Sequence, residues 1–161
     1  MRSEQETIYA IERYADMVRR ICFVHLKSRE DSEDIFQEVF LKYALRSVDF
    51  EDETYEKAWL IRVTINACKD LLKSAFKNRV VSLEELVELP AEQQKEHSEV
   101  LDAVLHLPSK YRDVVYLHYY EGYSAAEIGR ILRKNTNTVY TLLARARNQL
   151  KAALGGDDYG E

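Results

Sequence analysis

Residues that break helices, form cross-links or bind metals are scarce in this chain. Its 161 residues include two prolines, Pro90 and Pro108, and both fall where helical patterns stop. Cys22 and Cys68 lack Cys-x-x-Cys spacing, and the four histidines, at positions 25, 97, 106 and 118, are scattered. Neither a disulfide framework nor a zinc site is indicated. Cys22 with His25 is the one close pair, and it fits a packed helix face better than a metal site. No apolar run approaches the roughly 20 residues of a membrane span. The opening stretch MRSEQETIYAIERYADMV has no signal-peptide apolar block. These absences predict a cytoplasmic protein without metal, cofactor or membrane insertion.

What is present suffices for folded domains. An apolar content of 46% with 11% aromatics can bury real cores, and the length allows one or two domains. Charge is uneven around a net −5: residues 1–78 hold 13 basic and 15 acidic side chains, 79–101 hold 2 and 6, and 102–161 hold 8 and 7. The middle is an acidic break.

Helical spacing dominates on both sides of that break. Ile8, Ile11, Ala15, Val18, Ile21 and Cys22 predict a core helix from about Glu4 to His25. Ser28 and the acids Glu30, Asp31, Glu33 and Asp34 suit the start of a second helix, by capping and by complementing its dipole. That helix runs to about Arg46, with Ile35–Val39 and Phe36–Phe40 inward and Asp34, Gln37, Glu38 and Leu41 outward. The loop Ser47 to Thr54, with four acids, is expected to project. From Tyr55 to about Lys77 the inward set is Trp59, Leu60, Val63, Ala67, Cys68 and Leu71. Lys57, Arg62, Lys69, Lys73, Lys77 and Arg79 make the outward side basic, beside Tyr55 and Trp59. Rings beside cations suit single-stranded nucleic acid, because unpaired bases stack while phosphates meet the lysines. Trp59 is equally a candidate core anchor.

Residues 79–98 are glutamate-rich and read as a linker. Val100, Leu101, Val104 and Leu105 begin a new helical set, Leu107-Pro108 interrupts it, and Tyr111, Val114, Val115 and His118 continue it to Gly122. Ser124 and Glu127 form a capping box before Ile128, Ile131 and Leu132. Asn135 is placed to cap a last helix that begins near Thr136. On that helix Val139, Leu142 or Leu143, Ala146 and Leu150 face inward, and Asn137, Tyr140, Thr141, Ala144, Arg145 and Asn148 face outward. Two helices joined by a tight turn make a helix-turn-helix. Residues 130–151 contain six basic side chains and no Asp or Glu, a local reversal of sign that suits phosphates. The fold class is therefore all-α: two small helical domains, 1–78 and 99–154, joined by the acidic linker 79–98, the second a helix-turn-helix.

Together these stretches resemble the extracytoplasmic-function group of bacterial sigma factors, whose two domains are called region 2 and region 4. EDSEDIFQEVFLK (Glu30 to Lys42) resembles the region 2 helix that binds the polymerase clamp. AWLIRVTINACKDLLK (Ala58 to Lys73) resembles the helix that melts and reads the minus-10 element. LPSKYRDVVYLHYYEGYSAAEIGRIL (Leu107 to Leu132) and TVYTLLARAR (Thr138 to Arg147) resemble the region 4 helix-turn-helix. The chain departs from the family at four places: Arg133 stands where glycine is usual, Lys134 where an aliphatic is, and Tyr140 and Leu142 where basic residues are. Arg145 and Arg147 keep the basic character.

The resemblance implies a promoter-specificity subunit and no catalysis. Its implied partners are RNA polymerase core (β′ clamp and β flap), promoter DNA in duplex and single-stranded form, and an anti-sigma factor, with no small-molecule substrate. Asp34, Gln37, Glu38 and Leu41 would dock on polymerase. Phe50, Tyr55, Trp59, Arg62, Asn66, Lys69 and Lys73 would meet the minus-10 strand, with the Ser47–Thr54 loop holding an extruded base. Thr136, Asn137, Tyr140, Thr141, Arg145 and Arg147 would meet minus-35 duplex. The linker's twenty residues reach about 66 Å when extended, enough for elements about 55 to 60 Å apart on duplex. Two rivals stand beside this reading. One is a DNA-binding regulator that acts without polymerase. The other is a helical metalloenzyme using Asp31, Asp34 and Glu38, which lacks a second ligand cluster.

Overall fold

Four short polar side chains start helices where the sequence places them. In the computed structural model, which describes residues 1–77 and 99–155 (side chains of 75–77 excepted), the Ser3 hydroxyl accepts from the Glu6 amide and that of Ser28 from the Asp31 amide, both at 3.1 Å. Ser124 Oγ accepts from the Glu127 amide at 3.2 Å, and Asn135 Oδ1 from the Asn137 amide at 2.9 Å. Each satisfies an amide that a helix start leaves without an intrahelical partner.

The helices are α1 (Glu4–His25), α2 (Arg29–Leu45), α3 (Glu53–Lys77), α4 (Glu99–Leu105), α5 (Ser109–Val115), α6 (Ala125–Leu132) and α7 (Thr136–Leu154). No strand occurs among the described residues, and the fold class is all-α as the sequence predicts. The chain divides into two compact units, residues 1–89 and 90–161. The expected linker, Arg79 included, lies outside the described residues.

In the first unit α1, α2 and α3 pack on one another. Their core is Ala10, Tyr14, Met17, Val18, Ile21 and Cys22 with Ile35, Val39, Phe40 and Tyr43, and Leu60, Ile61, Thr64, Ile65 and Cys68. Burying each large apolar side chain contributes about 1.5 to 3 kcal/mol. The aliphatic hydroxyl among them, Thr64 Oγ1, donates to the Leu60 carbonyl at 2.6 Å.

Two inward faces differ from expectation. On α1 Ile8 is 47% exposed, Ile11 and Ala15 are half-buried, and Ala10, Tyr14 and Met17 point in. On α3 Trp59, Val63 and Leu71 are half-buried, while Ile61, Thr64 and Ile65 are buried. Both helices turn toward polar-tipped side chains that periodicity in apolar residues passes over. Tyr14 and Tyr43 are buried because their hydroxyls meet Glu56: Tyr43 Oη donates to Oε2 at 2.8 Å. Burial and then the Glu56 carboxylate push the Tyr43 phenol up to about 12 and raise that of Tyr14 as well.

In the second unit Pro108 precedes α5, which ends in a π-helical turn, Tyr116–Tyr120. Nothing in the apolar spacing marks that turn. Gly122, at φ 82°, reverses the chain, and His118 Nδ1 donates to the Tyr123 carbonyl at 2.8 Å. Leu117, Val114, Ile128, Val139 and Ala146 form the fully buried centre that fixes α6 against α7.

Candidate polymerase and promoter interfaces

The turn between α6 and α7 is closed by backbone. Arg133, standing where glycine is usual, adopts the left-handed conformation (φ 57°, ψ 49°), and its amide and that of Lys134 both bond the Gly129 carbonyl. Gly129 is required by proximity: a Cβ there would sit 2.7 Å from the Lys134 carbonyl oxygen. At the other end of α6 the capping box is complete, since Glu127 Oε1 accepts from the Ser124 amide at 3.0 Å. Hydrogen bonds from Ser124 hold the Glu127 carboxyl below its ordinary range.

This turn presents α7 with Asn137, Tyr140, Thr141, Ala144, Arg145 and Asn148 exposed, while Val139, Leu142, Leu143 and Ala146 are buried. Thr136 is half-buried. Thr141 Oγ1 donates to the Asn137 carbonyl at 3.0 Å, so its hydroxyl proton is used within the helix. Arg147 is also exposed, but its Nη1 donates to Tyr119 Oη at 3.2 Å. That pairing spans 28 residues and draws the guanidinium toward the π-turn rather than along the strip of Arg145.

On α3 the candidate residues share one face. Tyr55, Trp59, Arg62, Asn66, Lys69 and Lys73 recur at spacings of four, three, four, three and four, one stripe about 27 Å long at helical rise. Tyr55, Asn66 and Lys73 are exposed, while Trp59, Arg62 and Lys69 are half-buried. Arg62, Lys69 and Lys57 engage other groups of the protein, so they are not free surface cations. The Lys77 side chain lies outside the described residues.

The stripe begins at a cluster of rings and guanidinium groups. Phe50 lies 5.6 Å from the Trp59 ring and 6.2 Å from that of Tyr43, nearly parallel to the latter at 16°. Arg46 sits 4.6 Å from the Phe50 centroid and 5.4 Å from that of Trp59. Arg2 sits 4.9 Å from Phe50 and 4.7 Å from Tyr43. The loop therefore does not project as expected. Phe50 is half-buried, and the Val48 carbonyl accepts from Arg2 Nη2 at 3.0 Å and Arg46 Nε at 3.1 Å. The same cluster shows Trp59 to be a packing residue as well as a surface one. At the far end of the loop Arg13 binds Glu53 through two 2.6 Å hydrogen bonds, which hold the Glu53 carboxyl low.

On α2 Asp34, Gln37, Glu38 and Leu41 are all exposed. Leu45 extends the strip; it and Leu41 are each 59% exposed. Leu45 lies four residues beyond Leu41 on the same helix, and the outward set read from the sequence does not include it. Glu38 meets Lys42 at 3.8 Å and Glu33 meets Arg19 at 3.7 Å, both exposed pairs of small energetic weight. Among the described residues no group of three or more His, Cys, Asp or Glu side chains is placed to hold a metal ion, so Asp31, Asp34 and Glu38 do not make the site the metalloenzyme reading needs.

A family model described as Sigma-70 region 2 matches residues 10–77, and one described as Sigma-70, region 4 matches residues 97–150. The RNA polymerase sigma factor SigV of Bacillus subtilis is 31% identical over 144 residues, spanning 86% of this chain and 85% of that protein. The chain belongs to the extracytoplasmic-function sigma factors. A second relative, the ECF RNA polymerase sigma factor SigE of Mycolicibacterium smegmatis, is 31% identical over 151 residues, 88% of this chain and 58% of that one. The fold is similar to that of the sigma factor RpoE from Bartonella quintana, solved with the anti-sigma factor NepR, at a TM-score of 0.75, 20% identity and coverage of 95% and 99%. This sigma factor is thus a promoter-specificity subunit that directs RNA polymerase core to start transcription, and its family is one of transcription initiation factors. No helix among the described residues is long and apolar enough to cross a membrane.

Proposed function

We propose that the work is divided as follows. Residues 1–78 dock on the polymerase clamp through Asp34, Gln37, Glu38, Leu41 and Leu45, and open the minus-10 element with the stripe from Tyr55 to Lys73. Residues 99–154 read the minus-35 duplex through Asn137, Tyr140, Thr141 and Arg145. Arg147 has a lesser part because Tyr119 holds it. The linker 79–98 spans the two elements.

The observation that carries this division is the α3 stripe. Its aromatic end starts at the loop that would receive an extruded base, and its polar and basic end continues along one helix face, an arrangement suited to a single strand and of no use to a duplex reader. The protein carries no reaction of its own in this reading and works in the cytoplasm. In resting cells it is held by an anti-sigma factor, in line with the NepR-bound relative.

Run-off transcription with core polymerase and genomic fragments tests the assignment. Promoter-specific transcripts are expected with core, and weak, unspecific DNA binding without it. Tight specific binding by the protein alone would favour an independent DNA-binding regulator.

A further inference from the structure

The segment before α1 is tied to the loop between α2 and α3 more strongly than the ordering of a short segment requires. The Arg2 amide donates to the Ala44 carbonyl at 2.8 Å, near the end of α2. Its guanidinium lies over both the Tyr43 and Phe50 rings and bonds the Val48 carbonyl. The Nη1 end is 3.7 Å from Asp49 and 3.9 Å from Glu6. The side chain is only 9% exposed although it carries a full charge. Its Nε is buried with no hydrogen-bond partner, an arrangement that costs stability and persists only where the neighbours over-determine it.

We infer that Arg2 is a positioning residue for opening the minus-10 element, acting through Val48 and Phe50 to keep the loop 46–52 in the one shape that accepts an extruded base. The inference rests on the loop role proposed above. A loop of seven residues with acids at Asp49, Glu51 and Asp52 has little apolar surface to order it, so its own composition favours many conformations. Two guanidinium groups meeting at one carbonyl and one ring remove that freedom before DNA arrives, and a base captured by a pre-shaped loop loses less affinity to ordering. Arg46 belongs to the loop's own flank and moves with it. Arg2 arrives from a different part of the chain, 46 residues away from Val48, and can therefore fix the loop against the helices. Lysine would keep the charge but not the planar fork that stacks on two rings while bonding a carbonyl.

The test uses holoenzyme assembled from core polymerase and the full chain. The probe is a single-stranded non-template minus-10 oligonucleotide carrying one abasic position at a time. Wild type should show one position whose base loss weakens binding roughly tenfold or more, as loss of a stacked base does. With Arg2→Ala, and equally with Arg2→Lys, the penalty at that position should fall to about twofold or less, because an unshaped loop gains little from the base. Penalties at the other positions and core binding should stay near wild type. A peak that survives in Arg2→Ala overturns the inference while leaving the loop's role intact. Full recovery in Arg2→Lys overturns it too, since charge alone would then suffice. A uniform loss at every position, or lost core binding, makes Arg2 merely structural and also overturns it. A wild-type profile with no sensitive position overturns the loop's role itself.

Discussion

The Gly129 Cα faces the Lys134 carbonyl so closely that a side chain of one carbon would lie 2.7 Å from its oxygen. Two effects compete in Gly129→Ala. Helix propensity would gain about 1 kcal/mol, whereas crowding against backbone typically costs about 1 to 3 kcal/mol. The atom struck is a carbonyl held in the turn, so it cannot rotate away and the clash wins. Gly129→Ala should destabilise the protein by up to about 2 kcal/mol in chemical denaturation and weaken promoter binding as the turn shifts α7. An unchanged or higher midpoint would show that the turn yields freely.

Arg133 holds the neighbouring left-handed position, the one non-glycine residue with positive φ among the described residues. Relieving that conformation is worth about 1 to 2 kcal/mol, and glycine gives back about 0.5 to 1 kcal/mol in chain entropy. Arg133→Gly should therefore stabilise the fold by up to about 1 kcal/mol. It should at the same time lower the salt dependence of promoter binding by about one counterion if the guanidinium meets a phosphate. Thermal unfolding and a salt titration check both halves.

Arg145 and Arg147 look equivalent in sequence but are not in the structure. Arg145 lies on the exposed strip that also carries Asn137, Tyr140 and Thr141, whereas Arg147 is engaged by Tyr119. Arg145→Ala should cost about 1 to 3 kcal/mol of minus-35 binding if it reads a base edge, and weaken all sequences alike if it meets a phosphate. Arg147→Ala should cost less. Equal losses in a promoter-binding assay would refute the distinction.

Local signals were legible in the sequence, and long-range ones were not. The caps at Ser28, Ser124 and Asn135 depend on residues a few positions apart, and all were found. The loop's anchorage was missed because Arg2 and Val48 lie 46 residues apart. Tyr14 was missed because its hydroxyl disguised a buried ring, which only Glu56 on another helix makes tolerable. Apolar spacing likewise placed the inward face of α3 on Trp59 and Val63, since the alternative face runs through Thr64, whose hydroxyl is satisfied within its own helix.

The capping box makes the start of α6 sensitive to acid. Because Glu127 titrates below its ordinary value when folded, its contribution is complete above the unfolded carboxylate value, about 4.3, and is lost as pH falls through the lowered one. Between pH 5 and pH 3 the wild-type midpoint should fall further than that of Glu127→Gln, which cannot titrate there. Parallel losses in the two proteins, by circular dichroism melts, would remove Glu127 from the acid response.

The acidic strip of α2 separates docking from DNA contact. Glu30, Asp31, Glu33, Asp34 and Glu38 place five negative charges and no positive one within nine residues, so phosphate is repelled and a basic protein patch attracted. Leu41 and Leu45, four residues apart and both exposed, add an apolar edge that an ion would not need and a partner helix would. Among the described ion pairs, reversing charge at both Asp34 and Glu38 removes one exposed pair, that of Glu38 with Lys42, whose worth is about 0.3 to 0.5 kcal/mol. Helical content and thermal midpoint should therefore stay near wild type. Binding to polymerase core should fall at least roughly tenfold, since like charges would then face the patch that attracted them. Transcription should fall in step and recover when excess double mutant is supplied, because a weakened equilibrium can be driven by concentration. Core binding as tight as that of the unchanged protein would take the docking role away from α2.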